Sequence, residues 1–420
     1  ILNVDITEGT RNSGLFFDAN GKTFDVPNAT INLSSNAGSN AGIFVQDGIV
    51  NLKPNAKVNL TAGKNNVGIY ADNGANTHTA VLNAEGKVNI TGGTGGIGIL
   101  STGNSTSGTT ATNKGTVTIT AKDNVGMVAA NKTGTTVTGE INQEGTVLVN
   151  AKESIGVAAV GTRAIANIKN GSKTIAGDDS PAAAGTASGA SALFADDGGK
   201  VSAVTGATIE SANGGVGAYV TSKDNTGNTA GTIEFNGATI NTKIRGLSFM
   251  ADGTGSKIKF SGSTTGNISD YGTVFYLKPV KTASSITDTT NFNTTASILP
   301  AFTAMINNYF SNLGNLTLNM NDKSNMVVTS YISGNVSDLT FDKTTAFGTA
   351  GIPTINGNYK AFLLDKSNVT VDVDSDLDTT STGTAAAAAY RKIALSNSTI
   401  TNNKKISGTQ SGLVAMAQQD

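Results

Sequence analysis

Residues 66–100 read NVGIYADNGANTHTAVLNAEGKVNITGGTGGIGIL, and the fold can be predicted from this stretch. A small residue followed by a short apolar segment occurs twice, beginning at Gly68 and at Gly98. Between the two copies lie the alternating segment Val88-Asn-Ile90 and the segment Leu82-Asn-Ala-Glu-Gly86. Alternation of apolar and polar residues is typical of a half-buried strand, and Asn and Gly tolerate the backbone conformations of tight corners. The stretch therefore predicts short strands joined by corners.

The same unit recurs along most of the chain. Successive copies are 25 to 36 residues apart, with a mean spacing of about 29. The copies begin at Gly14, Gly42, Gly68, Gly98, Gly126, Gly156, Ala192, Gly217, Gly246 and Gly272. The alternating unit keeps phase with them, and its copies begin at Val58, Val88, Val117 and Val147. Such periodicity indicates stacked repeats, each too small to bury its own apolar face.

Three strands and three corners in about 29 residues make one triangular coil. The sequence therefore predicts an all-β protein, a right-handed parallel β-helix with three-strand coils of about 29 residues. The residues predicted to point inward are Leu15, Ile43, Ile69, Ile99, Met127, Val157, Leu193, Ala218 and Leu247. The residues predicted to point outward are Phe16, Phe44, Tyr70, Leu100, Val128, Phe194 and Tyr219. Small residues at the next position, such as Ala71, leave the opposite assignment open. Outward aromatic side chains could hold sugar rings, or loops could cover them.

Composition limits the classes of partner. The chain is 38% hydrophobic and 14% charged, with a net charge of -1 and no cysteine. The net charge gives no electrostatic footprint for nucleic acid, so no nucleic-acid partner is expected. No apolar segment approaches the roughly 20 residues of a membrane-spanning helix. A lack of cysteine suits a chain that stays unfolded during export, although a cytosolic protein could share it. Because the sequence begins at Ile1, we interpret it as a piece of a longer chain.

The repeat breaks over residues 281–314, which divides the chain into three predicted regions. Regular β-helix coils are expected over 1–280, an insertion with a short helix over 281–314, and a β-helix continuation with longer loops over 315–420. The helix is expected within 284–313, where Pro300 suits its first turn and Gly314 its C-terminal end.

The insertion carries the predicted binding residues. Phe302, Met305, Ile306, Tyr309 and Phe310 recur at helical spacing. In one interpretation, the helix packs this apolar face on the β-helix. In the other, it is a binding excursion in which Phe302, Met305, Tyr309 and Phe310 contact a partner. The residues alone leave both open.

Residues suited to catalysis or metal binding are sparse. The only histidine, His78, is predicted to be an exposed turn residue, since no Gly-x-Ser-x-Gly motif accompanies it. Four alternating carboxylates form a weak calcium candidate, with a solvated acidic corner as the alternative. They are Asp372, Asp374, Asp376 and Asp378. We predict no catalytic residue and no cofactor. A β-helix enzyme that degrades polysaccharides remains a less favoured interpretation.

The motifs in residues 66–100 resemble those of a known family, the passenger domains of monomeric (type Va) autotransporter adhesins. The large fusobacterial outer-membrane adhesins are the most similar. The resemblance covers residues 14–280 well and 314–420 loosely. Trimeric adhesin heads are the alternative, but their repeat is about half as long. Protease members of the family carry Gly-Asp-Ser-Gly, whereas this chain has Gly177-Asp-Asp-Ser180, so protease activity is not implied.

The resemblance implies a surface-displayed, monomeric rod on the bacterial outer membrane. It also implies attachment through a C-terminal β-barrel, which we expect to lie outside these 420 residues. The implied partners are host-cell glycoconjugates, host receptor proteins or other bacterial cells. A purely structural spacer is the alternative function.

Overall fold

The computed structural model is a stack of coils with one strand on each of three faces. The residues that the structure describes are 2–34, 36, 38–74, 79–103, 108–131, 138–180, 183, 185–222, 230–278, 298–330, 333–336, 341, 343–365, 367–371, 375–376, 393–396, 399–402, 406–407 and 413–415. All strand pairs in the stack are parallel and join one coil to the next, for example Ile69 with Ile99 and Val58 with Val88. This confirms the prediction of an all-β, parallel β-helix.

The first face contains the strands of the glycine-led unit. Its strands are Ser13–Val26, Ala41–Leu52, Val67–Asp72, Ile97–Gly103, Val125–Asn131, Ile155–Val160, Ser191–Asp196, Val216–Val220, Leu247–Ala251, Thr273–Tyr276, Asn325–Ser330, Lys360–Asp365, Ile393–Ser396 and Leu413–Ala415. The first two strands are long enough to run on into the second face, so both faces belong to one 22-stranded sheet.

The second and third faces complete each coil. The further strands of the second face are Ala80–Ala84, Thr109–Asn113, Gly139–Gln143, Ala164–Ile168, Lys200–Val204, Thr232–Asn236, Lys257–Gly262 and Phe310–Ser311. The third face is a 12-stranded sheet of Leu2–Ile6, Ala29–Leu33, Lys57–Leu60, Lys87–Ile90, Thr116–Ile119, Thr146–Val149, Lys173–Ala176, Thr208–Ser211, Thr239–Thr242, Thr264–Ile268, Leu316–Asn319 and Thr354–Asn356. Two small sheets follow, with strands Ser333–Val336, Asn368–Val371 and Thr399–Asn402, and Ser375–Asp376 and Ile406–Ser407.

The interior contains the residues predicted to point inward, with one correction. Seven of them are fully buried, namely Ile43, Ile69, Ile99, Met127, Val157, Leu193 and Ala218. Leu15 packs on this core from the first coil and is partly buried. Leu247 was predicted wrongly, because it pairs with Val216 and the interior position is taken by Phe249. Placing Phe249 inside buries a larger apolar side chain, which outweighs the match to the glycine motif.

Around Phe249, the side chains of the core change from aliphatic to aromatic. Nine phenylalanine rings form a continuous network with centroid distances of 5.1 to 6.3 Å between neighbours. They are Phe235, Phe249, Phe260, Phe275, Phe302, Phe310, Phe341, Phe347 and Phe362. The network joins the regular coils to the coils that follow the predicted insertion.

The predicted insertion contains a helix, Ile298–Tyr309, whose apolar side faces this network. The helix ends five residues before Gly314, so the predicted C-terminal end was wrong. Phe310 instead begins a short strand that pairs with Ile258, and Asn312 adopts a left-handed conformation before the 3-10 helix Leu313–Asn315. The backbone of Phe310 pairs with the strand of the previous coil. A helix that continued through Phe310 could not form this pairing. A short helix, Lys343–Ala346, and a second 3-10 helix, Gly348–Ala350, lie further along.

Asparagine side chains reinforce the third face from outside. Asn59 donates its amide to Asn32, and Asn89 donates to Asn59, each at 2.8 Å. The same hydrogen bond between asparagine side chains recurs at the C-terminal end of this sheet, where Asn356 donates to Asn319 at 3.0 Å. In-register parallel strands place identical side chains one strand spacing apart, which allows such amide ladders.

Candidate functional site: an aromatic column on the first face

The strand Val67–Asp72 shows how the coil displays an aromatic side chain. Ile69 and Ala71 are both fully buried, whereas Tyr70 between them is only partly buried and points outward. Strand pairing repeats this position in successive coils. We call the resulting set the aromatic column. It consists of Phe16, Phe44, Tyr70, Leu100, Val128, Ala158, Phe194, Tyr219 and Met250. The predicted outward assignment is thereby confirmed.

The first cluster of rings lies at the N-terminal end of the column. The centroids of Phe16 and Phe44 are 5.4 Å apart, and Phe44 stacks on Tyr70 at 5.0 Å with an interplanar angle of 12°. Phe16 is 54% exposed, so the end of the column is open to solvent. The Tyr70 hydroxyl donates to the Asp72 carboxylate at 2.6 Å and accepts a hydrogen bond from Thr102 at 3.2 Å. These bonds hold the ring in one orientation.

The second cluster has a similar composition. The rings of Phe194 and Tyr219 are 5.4 Å apart and nearly edge to face. The Tyr219 hydroxyl lies 3.2 Å from a carboxylate oxygen of Asp252, which also forms an ion pair with Lys278 at 3.1 Å. Each cluster therefore combines rings in contact with a tyrosine oriented by an aspartate.

Sequence reasoning missed the aspartate partners. Asp72 could have been found from its position two residues after Tyr70, since residues i and i+2 share a strand face. Asp252 could not have been found in this way, because it belongs to the coil after Tyr219. In that coil, the strand pairing is shifted by two residues from the one that the glycine motif predicts.

The environment raises the pKa of both tyrosines. Burial is the main cause, followed for Tyr70 by its hydrogen bond to Asp72. For Tyr219 the second cause is the negative charge of Asp252. Both effects disfavour a phenolate. The two hydroxyls therefore stay protonated into the alkaline range and donate hydrogen bonds to Asp72 and Asp252.

We expect the raised pKa values to make the fold sensitive to alkali. The ordinary tyrosine pKa is 10.0. Above it, the unfolded chain loses these protons while the folded chain retains them, so the free energy of unfolding falls as the pH rises. Each tyrosine contributes at most about 1.4 kcal/mol per pH unit. Denaturant unfolding of wild type and a Tyr70→Phe, Tyr219→Phe variant between pH 8 and 11 measures this. Identical pH dependence of the two proteins would contradict the expectation.

The residues predicted to bind from the insertion lie in the interior. Phe302, Met305, Tyr309 and Phe310 are at most 4% exposed. They pack into the aromatic core, as the first interpretation of the helix predicted. Contact of these four side chains with a partner stays a prediction, and their surface is not available in this structure.

The other predicted positions lie outside the described residues. This holds for His78 and for Asp372, Asp374 and Asp378, while only the backbone of Asp376 is described, in a short strand. Within the described ranges, no group of three or more His, Cys, Asp or Glu side chains could hold a metal ion. In the same part of the chain, no helix is long and apolar enough to cross a membrane.

A groove lies on the third face, away from the aromatic column. Leu148 and Ile175 occupy the position of the asparagine ladder there, and they help to line a volume of about 320 Å³. The adjacent Lys173 and Glu210 neutralise each other in an ion pair at 3.1 Å. The aromatic column offers a longer surface with a defined chemistry, so we take it as the candidate site.

The fold thus defines the chain as a parallel β-helix with an outward aromatic column. No family model matches the sequence, and no curated protein matches it. A solved structure, the TibC-catalysed hyper-glycosylated TibA fragment, is similar over 99% of this chain and 98% of its own, with 13% identity and a TM-score of 0.28. This likeness is too low to support an argument about function.

Proposed function

We propose that this chain is a segment of a surface-displayed bacterial adhesin that binds glycans on host cells or on other bacteria. The observation that carries the proposal is the aromatic column, with its outward, partly buried rings, the exposed Phe16 at its end and the two oriented tyrosines. The resemblance of the repeat to autotransporter passenger domains supports display on the outer membrane, with the chain acting as a monomeric rod. We propose no catalytic role and no cofactor.

The chemistry of the column suits sugars. A pyranose ring has apolar C–H faces that can pack on an aromatic ring, and the exposed ring of Phe16 at the end of the column is open to such a contact. Its hydroxyl groups require polar partners nearby, as binding sites generally supply a few polar groups on an apolar surface. The Tyr70 and Tyr219 hydroxyls and the carboxylate of Asp252 lie at the edges of the rings. Because these side chains already have fixed orientations, little entropy is lost on binding.

Nucleic acid fits the same column poorly. Bases also stack on aromatic side chains, but single-strand binding sites pair such stacking with a positively charged groove for the phosphates. Here, the two tyrosine hydroxyls are hydrogen-bonded to the carboxylates of Asp72 and Asp252. The carboxylates disfavour a phosphate backbone.

A structural spacer is the second candidate function. The asparagine ladders on the third face and the continuous core support a stiff rod, which a spacer also needs. A spacer requires no particular side-chain chemistry on the first face, so the two proposals differ in what the aromatic column does.

A glycan array probed with the 420-residue chain separates these proposals. We expect binding to at least one glycan class, and an affinity about 10-fold weaker for Tyr70→Ala, which corresponds to about 1.4 kcal/mol. Leu148→Ala, which truncates a half-buried apolar side chain on the third face, is the matched control and should change the affinity less than 3-fold. Circular dichroism verifies that each variant keeps its β-structure.

Two outcomes would overturn glycan binding through the column. One is a folded chain that binds no glycan on the array, which would favour the spacer. The other is a bound glycan whose affinity is unchanged in Tyr70→Ala. Binding to purified host receptor proteins with no glycan dependence would replace glycans by proteins as the partner.

A further inference from the structure

We infer that the groove on the third face is a second binding site, which takes a small zwitterion of the amino-acid class with an aliphatic side chain. The groove and the aromatic column lie on different faces and share no residue. The inference therefore stands apart from the proposed function and goes beyond it.

The floor of the groove is apolar because the asparagine ladder is interrupted there. Strand pairing continues the column of Asn89 through Thr118 to Leu148 and Ile175, so two aliphatic side chains stand where earlier coils carry polar ones. Both are half-buried, which leaves part of each side chain open to a ligand. Because covering apolar surface is favourable, this floor suits a ligand with an aliphatic group.

Small residues form a depression beside this floor. The outward position that follows each strand is taken in turn by Asn150, Gly177, Ala212 and Lys243, whose backbone amides bond to the coil before. Glycine has no side chain and alanine has only a methyl group, so the surface is low between the two longer side chains. The volume of about 320 Å³ is near the lower limit for ligand pockets, about 300–1,000 Å³. A small molecule therefore fits better than a long chain.

A loop adds two carboxylates to the groove. They belong to Asp178 and Asp179, which line it and are exposed. The side-chain amide of Asn213 donates to the backbone carbonyls of Asp178 and Ser180, at 2.5 and 2.7 Å, and fixes this part of the loop. Residues 180–190 carry no charged side chain, and among the described residues no cation forms an ion pair with either aspartate. Although one oxygen of Asp178 accepts from the Ser180 backbone, the pair keeps acceptors for an ammonium group.

The two lysines of the groove differ in their partners. Lys173 forms an ion pair with Glu210 at 3.1 Å, so these two charges neutralise each other. Lys243 forms no ion pair within the part of the chain that the structure describes. An ammonium group of this kind binds a carboxylate through charge-assisted hydrogen bonds. The groove thus presents an unpaired cation and two unpaired anions beside one apolar floor.

An aliphatic amino acid matches these features together. Its ammonium group, carboxylate and side chain are all attached to one carbon atom, so a single small molecule can contact the aspartates, Lys243 and the floor. A ligand with one charge would leave an opposite charge of the groove unpaired as it displaced water, which is unfavourable. The two charges of the ligand therefore define its class, and the floor defines its side chain.

The test is a ligand-observed NMR titration of the 420-residue chain with L-leucine, glycine, N-acetyl-leucine and leucinamide. We expect leucine to bind with a Kd on the order of 1 mM, since exposed charge pairs contribute little. Glycine lacks the side chain, N-acetyl-leucine lacks the ammonium group, and leucinamide lacks the carboxylate. Each should bind about 5-fold more weakly than leucine.

Variants assign each contact to its side chain. Lys243→Met should weaken leucine about 5-fold and leave leucinamide unchanged, because leucinamide has no carboxylate to lose a partner. The double variant Asp178→Asn, Asp179→Asn should weaken leucine and leucinamide but leave N-acetyl-leucine unchanged. Lys87→Met is the matched control, since Lys87 is an exposed lysine on the same face that does not line the groove. Circular dichroism verifies the fold of each variant.

The outcomes separate this site from the aromatic column. Leu148→Ala should weaken leucine, whereas its affinity for glycans should stay the same. A chain that binds no leucine, or binds it equally well after Lys243→Met, would overturn the site. Equal affinities for leucine and glycine would overturn the aliphatic class, and equal affinities for leucine and its two blocked analogues would overturn the zwitterion. None of these results would affect glycan binding.

Discussion

Phe275→Ala is expected to lower the free energy of unfolding by about 3–5 kcal/mol, the usual cost of truncating a buried phenylalanine. Phe275 is fully buried and is the centre of the aromatic core. Its ring contacts Phe249 of the previous coil at 5.8 Å, Phe302 of the helix at 5.7 Å and Phe310 at 5.1 Å. Removing the ring leaves a cavity at the junction between the regular coils and the helix.

Thermal unfolding and limited proteolysis measure this effect. We expect a lower melting temperature and earlier cleavage after residue 275, because neighbouring coils of a solenoid stabilise each other mainly through their shared interface. Phe16→Ala is the control, since Phe16 is 54% exposed and its truncation opens no interior cavity. If both variants lost the same stability, the aromatic core would not have the role assigned to it.

Gly98→Val is expected to destabilise the fold by about 3 kcal/mol, at the upper end of the usual cost of overpacking. A Cβ atom at Gly98 would lie 2.5 Å from the carbonyl oxygen of Gly126 in the next coil, and 3.2 Å from Val117. The obstructing oxygen belongs to the backbone of a neighbouring strand, so it cannot move without disturbing the stack. The same close approach of a carbonyl oxygen in the next coil, at 2.6 Å, explains the glycines at Gly42, Gly68 and Gly126, whereas the repeat that begins at Ala192 accommodates a Cβ atom.

Gly314→Val is the matched control, because a Cβ atom there would meet no atom within 4 Å. Comparing the melting temperatures of the two variants separates the effect of the clash from that of replacing a glycine. We expect Gly314→Val to lie within a few degrees of wild type. A Gly98→Val protein as stable as Gly314→Val would contradict the explanation of the repeat.

Much of the fold was predictable from the sequence, because the coils are nearly independent copies of one pattern. Apolar residues at period two and glycine at fixed spacing predicted which residues of the strand Val67–Asp72 point inward. Local alternation determines these directions wherever each strand pairs with its own equivalent. For the same reason, the outward position of Tyr70 was predictable.

The helix was predictable only in part. The spacing of Phe302 and Ile306 predicted a helical segment with one apolar side, and both side chains are buried. The end of the helix was not predictable, since Phe310 has a helical spacing but is used in a strand that pairs with Ile258. Pairing with a residue 52 positions away is a tertiary interaction that local periodicity does not contain.

The sequence by itself thus determined the repeating coil and favoured one assignment of its inward and outward residues, and the structure decided between that assignment and the opposite one. Only the tertiary structure decided the register of Phe249, the end of the helix and the aspartate that orients Tyr219. The physical reason is that the repeat specifies each strand through contacts of neighbouring residues. Where coil length varies, the burial of the largest side chains selects the pairing, and this depends on residues far apart in the chain.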